Sequence, residues 1–180
     1  MYIMLVAFPV AIKKDRCDSQ CYLPFCRKFN IFCSLNINLL AGQNVYRPIS
    51  FFVRLSQTIT LNKNSIVKFH DVSVNEGNHY NSGDGIFAAP VSETFQFSWK
   101  TLTNSSNPAD TELRVDNVIK ETLHISLETG TISGTKVVLC KVKKGDHVWI
   151  QTSNVYGTNT FVVANANTKS SFTGMLTPEL

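Results

Sequence analysis

The side chains of this chain that could do chemistry are dispersed. His70, His79, His124 and His147 each sit among different neighbours. No H-E-x-x-H pair sets two of them one helical turn apart, as a zinc site on a helix requires. A phosphate-cradling G-x-x-x-x-G-K, a G-x-G-x-x-G and a G-x-S-x-G elbow are all missing, and Gly83-Asp84-Gly85 reads as a sheet connection, since no helix follows it. No nucleophile stands beside a base, so the residues predict a chain that is not an enzyme. Asp71, Glu76, Asp84, Asp110 and Asp116 fall in loops or at strand ends, where carboxylates and carbonyls suit calcium, although no EF-hand spacing is present. Calcium is the one cofactor the residues leave open, and no metal ligands are assigned. Asn104-Ser105-Ser106 is the one N-glycosylation sequon, with Asn104 as acceptor, in a run whose composition predicts a loop.

Charge and cysteine divide the chain unevenly. The formal charge is +4 over 180 residues. Residues 1–46 hold five Lys or Arg against two acids, and residues 47–180 hold twelve against eleven. A nearly neutral body argues against a nucleic-acid module, which needs a basic face. Lys141, Lys143 and Lys144, before Gly145, form the local basic cluster, read as a solvated hairpin with contact to an anionic ligand as the other reading. Cys17, Cys21, Cys26 and Cys33 crowd the N-terminal part as C-x3-C-x4-C-x6-C, without a CxxC pair or nearby histidine for zinc. In an oxidising compartment they could form small disulfide knots, whose pairing stays open. Cys140 stands in an alternating apolar run and reads as a small buried hydrophobe.

Residues 2–12 are apolar, too few to span a bilayer and of the length of a signal-peptide core, but no positive segment precedes them and Lys13-Lys14 follows. No membrane insertion is expected. Residues 1–46 are therefore read as an irregular, cysteine-containing leader, a divergent signal or propeptide, and residues 47–180 as the globular domain.

The elements that must position these side chains are strands. Phe95, Phe97 and Trp99 alternate with Gln96, Ser98 and Lys100, a strand with one ring-bearing face. Ile49 to Leu55 alternates in the same way, Phe69, Val72 and Val74 read as apolar anchors, and Leu113–Val118 reads as a strand containing or ending in the polar Asp116-Asn117. Short extended pieces at Thr58–Leu61 and Ile66–Phe69 flank an Asn62-Lys63-Asn64 turn. Thr135–Val142 is apolar on both faces and should be buried on two sides, in the sandwich centre or at a subunit contact. Trp99 and Trp149 read as core or interface aromatics. About ten short strands separated by turns, with no helix of credible length, predict an all-β antiparallel sandwich or jelly roll and exclude a parallel α/β enzyme.

The body resembles a C1q globular domain, the C1q/TNF-like jelly roll. Phe69, Asn75, Tyr80 and Phe87 stand at the family's intervals, followed by the ring series Phe95, Phe97 and Trp99. Gly145-Asp146-His147-Val148-Trp149 is similar to the family's G-D-x-V-W hairpin, and Ser171-Phe172-Thr173-Gly174 to its closing S-F-x-G strand. Glu93 stands where the family usually has glycine, which predicts a shifted turn if that position needs a positive φ. No collagen G-X-Y repeat precedes the domain. The resemblance implies a ten-stranded jelly roll that self-associates as a homotrimer, is secreted, and acts extracellularly. It further implies a lectin-like pattern-recognition module of innate immunity, similar to secreted invertebrate C1q-domain proteins, binding microbial surface glycans or related polyanionic patterns. The alternative it leaves open is a TNF-like or synaptic-organiser-like ligand for a protein receptor.

Overall fold

The computed structural model describes residues 48–104, 108–155, 158–161 and 168–177. The chain divides into two units, Met1–Val45 and Tyr46–Leu180, and the second is described here. The expected leader and its four cysteines lie outside the described residues.

The described residues form twelve strands: β1 (Ser50–Arg54), β2 (Ile59–Asn62), β3 (Asp71–Glu76), β4 (Tyr80–Asn81), β5 (Ile86–Ala88), β6 (Glu93–Asn104), β7 (Ala109–Val115), β8 (Val118–Ile125), β9 (Thr131–Val142), β10 (His147–Thr152), β11 (Thr158–Phe161) and β12 (Ser171–Leu176). One five-stranded sheet runs β3-β1-β12-β6-β9, a second runs β4-β5-β10-β7-β8, and β2 pairs with β11 in a ribbon. Every named pairing is antiparallel. The jelly-roll class read from the rings and turns is the one observed, with the β2–β11 ribbon added to its two sheets.

Alternation builds the core. In register across the first sheet, Phe51, Gly174, Phe97 and Val138 lie side by side on the inner face, with Val53, Phe172 and Trp99 in the next row. Their rings meet those of the second sheet: Phe51 stacks on Tyr80 at 5.1 Å and lies 5.1 Å from Phe87, which meets Phe95 edge-on at 5.4 Å. Buried rings in such contacts add about 0.5–1.5 kcal/mol per pair beyond area burial. A Cβ on Gly174 would run into the rings of Phe51 and Phe97, so the closing strand needs glycine for packing. Trp99 spans the sandwich, its Nε1 donating to Thr111 Oγ1 at 2.9 Å. Buried Cys140 points into this core, where burial pushes its thiol pKa up.

Four expectations change. Val72 and Val74 are exposed on β3, an edge strand, because the core reaches only as far as the alternate side chains of β1. Of the two readings of Leu113–Val118, the strand does not run through Asp116-Asn117: β7 ends at Val115, and Asp116-Asn117, with φ of 50° at Asp116, turns the chain into β8. The strand apolar on both faces, β9, is the other edge of the first sheet, and its outward Val137 and Leu139 are exposed, which rules out the sandwich centre. Glu93 opens β6 and has no positive φ, so the turn strain expected of it is not incurred.

Candidate functional site

The ring motif is a structural staple. Phe69 lies between the Ile66 bridge and β3, Asn75 near the end of β3, and Tyr80 opens β4. Asn75 Nδ2 donates to Tyr80 O at 2.9 Å, and Tyr80 N donates to Asn75 Oδ1 at 3.1 Å. The Tyr80 hydroxyl accepts from Phe69 N at 3.3 Å and donates to Phe69 O at 3.4 Å. Burial pushes this phenol well above the ordinary tyrosine range, so it remains a donor. The motif thus locks the crossing from the first sheet to the second.

The Gly145 turn is not the hairpin the sequence suggested: it carries the chain from β9 in the first sheet to β10 in the second, where β10 pairs with β5 and β7. Gly145 takes φ of 92° and Asp146 folds back on its own turn, its Oδ2 accepting from Lys143 N at 2.8 Å. Val148 and Ile150 enter the core. Trp149 lies on the outward face, half-buried, paired with Arg114 across the strands and donating Nε1–H to Gln151 Oε1 at 3.0 Å.

The acids are committed singly. Asp71 Oδ2 meets Arg54 Nη2 at 3.1 Å and Lys169 Nζ at 3.0 Å. Asp84 accepts from Asn81 Nδ2 and from Ile86 N, Asp110 accepts from Ser153 Oγ at 2.9 Å, and Asp116 caps His147 N at 3.0 Å. Glu76 is exposed at the edge. Among the described residues no three His, Cys, Asp or Glu gather as metal ligands. His147 Nδ1 faces Asp116 Oδ1 at 3.5 Å, and strand register sets His124 opposite Asp110. Lys141, Lys143 and Lys144 are exposed at the turn from β9 to β10, beside Ser92, whose Oγ accepts from Lys144 N at 2.9 Å. Asn104 ends β6 half-buried, and the rest of its sequon lies outside the described residues.

The outer face of the first sheet carries exposed apolar side chains. Register sets Val74, Phe52, Thr173, Ser98 and Val137 in one row across all five strands, and Glu76, Ser50, Met175, Gln96 and Leu139 in the next. Leu139 is 67% and Val137 59% exposed, with Met175 and Val74 also open to solvent. Arg54 bounds these rows, in which Thr173, Ser98 and Gln96 stand among the apolar side chains, its guanidinium 5.7 Å from the Phe52 ring centroid. Sequence reasoning found Val137 and Leu139 by their double apolarity, but Phe52, Val74 and Met175 join them only through strand order.

The model of the C1q domain matches residues 50–177. The chain belongs to the C1q domain family. Among solved structures this C1q domain is similar to the globular domain of a zebrafish complement 1qA protein, at 16% identity and a TM-score of 0.60, over 74% of this chain and 99% of that one. It is also similar to the Eiger TNF of S. frugiperda, at 10% identity and a TM-score of 0.56, over 74% of this chain and 95% of that one. At these identities the likeness concerns the fold. No curated protein sequence matches. C1q/TNF domains are recognition and signalling modules, generally not catalysts, that typically self-associate and bind surface ligands.

Proposed function

We propose that this C1q domain is a secreted, non-enzymatic recognition module that acts as a homotrimer and binds repetitive microbial surface glycans or polyanionic patterns in innate immunity. The observation that carries this reading is the outer face of the first sheet, where Phe52, Val74 and Met175 make one apolar strip and Val137 and Leu139 a second, on either side of Ser98 and Gln96. Burying such a strip against neighbouring copies stabilises by about 25 cal/mol per Å² of apolar area. Three chains then present three copies of every loop site on one rigid body, and weak sites gain by avidity on a repetitive surface. Asn104 is the glycan acceptor in this reading.

Light scattering on the full chain tests the assembly. The expected mass is three times that of one chain, and Val137→Lys with Leu139→Lys should lower it to that of a single chain. A wild-type protein that stays monomeric at all concentrations overturns the trimer. Sequencing the N-terminus of material exported from a secretory cell tests secretion. A glycan array, with binding to bacterial cells that carry no candidate receptor, tests the ligand class. Failure on both, with saturable binding to one protein on animal cells, favours the receptor-ligand alternative.

A further inference from the structure

Outside the two sheets, a cavity of about 440 Å³ opens between two extended segments. One wall is β2, where Ile59 and Leu61 face the cavity and Thr60, on the other side, meets the Thr160 hydroxyl at 3.1 Å. The other wall is the segment Ser65–His70. Val67 and Phe69 are 0% and 2% exposed in the core, so alternation turns Ile66, Lys68 and His70 the opposite way, into the cavity. Leu55 lies buried at its base, with Ser56 and Gln57 at the rim.

The cavity is held in shape before any ligand arrives. Thr152 Oγ1 accepts from Ser65 N at 2.9 Å and donates to Asn62 O at 2.7 Å, so one buried hydroxyl ties both walls. Val67 N donates to Ile150 O at 2.8 Å, Thr152 N to Ser65 O at 2.9 Å, and β2 is paired along its length with β11. Pre-formed pockets of roughly 300–1,000 Å³ that are mostly apolar, with a few convergent polar groups, are the usual shape of small-molecule sites.

Its chemistry is one-sided. Leu55, Ile59, Leu61 and Ile66 supply aliphatic surface, and among the described residues the lining has no phenyl, phenol or indole ring for a sugar face and no carboxylate. Lys68 and His70 make no ion pair among the described residues, and the adjacent Asp71 is occupied by Arg54 and Lys169. We propose that this cavity binds a small amphipathic anion: a single acyl chain lying against the four aliphatic residues, with its terminal carboxylate on Lys68 and His70. This site is independent of the trimer and of the glycan reading.

Isothermal titration of the full chain with octanoate, octanol, acetate and glucuronate tests it. Octanoate should bind saturably, one per chain. Octanol should bind about tenfold more weakly for want of the charge, a difference of about 1.4 kcal/mol. Acetate and glucuronate should show no saturable binding. Lys68→Gln, at an exposed position, should weaken octanoate about five- to tenfold and leave octanol unchanged, whereas Leu61→Ser should weaken both. Absence of saturable octanoate binding, equal affinity for octanol, binding of glucuronate in its place, or indifference to Lys68→Gln each overturns the proposal.

Discussion

Asp71 holds two cations on a single oxygen. Arg54 reaches it from β1, the neighbouring strand, and Lys169 from the residues just before β12, 98 positions away in sequence. The hydrogen bond from Lys169 is the largest influence, and with the charge of Arg54 it holds the carboxyl below the ordinary aspartate value of 3.8, against an opposing effect of burial. The folded pKa is depressed, so the linked stability is present in full above the unfolded value and is lost as pH falls through the folded one. Wild-type protein should therefore lose more of its denaturant midpoint between about pH 6 and about pH 3 than Asp71→Asn does. Parallel pH profiles for the two would show that this carboxylate contributes no pH-dependent stability. In the sequence Asp71 was only one of five acids with the chemistry of a calcium ligand. Its partners were invisible because neither is near it along the chain.

At the scale of elements, two glycines with left-handed backbone separate conformational strain from crowding. Gly145 has φ of 92° in the turn between β9 and β10, and an added Cβ would meet nothing within 4 Å. Gly85 has φ of 85° before β5, and there a Cβ would lie 3.0 Å from Val67 O and 3.2 Å from Ile66 Cγ2. Gly145→Ala should cost about 1–2 kcal/mol for the backbone alone. Gly85→Ala should cost about 1–3 kcal/mol more, because backbone and a packed side chain must also give way. Equal midpoint shifts in urea would contradict this. Turn chemistry made both positions legible as punctuation. It did not distinguish a turn in open solvent from one wedged against the segment that walls the cavity. Whether the strand ended at Asp116-Asn117 stayed open for a related reason: Val118 and Ile119 continue the apolar pattern beyond it, and both are exposed.

For the whole molecule, the arrangement of β12 governs closure. It lies between β1, the first strand, and β6, and Leu176 N donates to Ile49 O at 2.9 Å beyond the strand pair. A chain ending after Ser170 would strip β1 and β6 of their shared neighbour and remove Phe172 from the ring cluster. Such a truncation should show no cooperative thermal transition by circular dichroism, whereas a sharp one would mean that the remaining sheet closes without it. Pairing of strands so far apart in sequence also makes for slow folding, since loop closure precedes most of the contacts.

Alternation is a local property of the pleated chain, with a period of two, and turn residues act within a few positions. The sequence alone therefore determined the class of fold, the ring-bearing face of β6, the tight turn at Gly145 and the family intervals from Phe69 to Trp99. Strand order is not local. Whether a doubly apolar strand lies at the centre or the edge, which side chains share an outer row, which cations reach Asp71, and that two short extended pieces enclose a cavity were decided only when the sheets came together. Each of these depends on residues brought side by side by pairing between distant segments, and a hydrophobic pattern is the same whichever neighbour it finds.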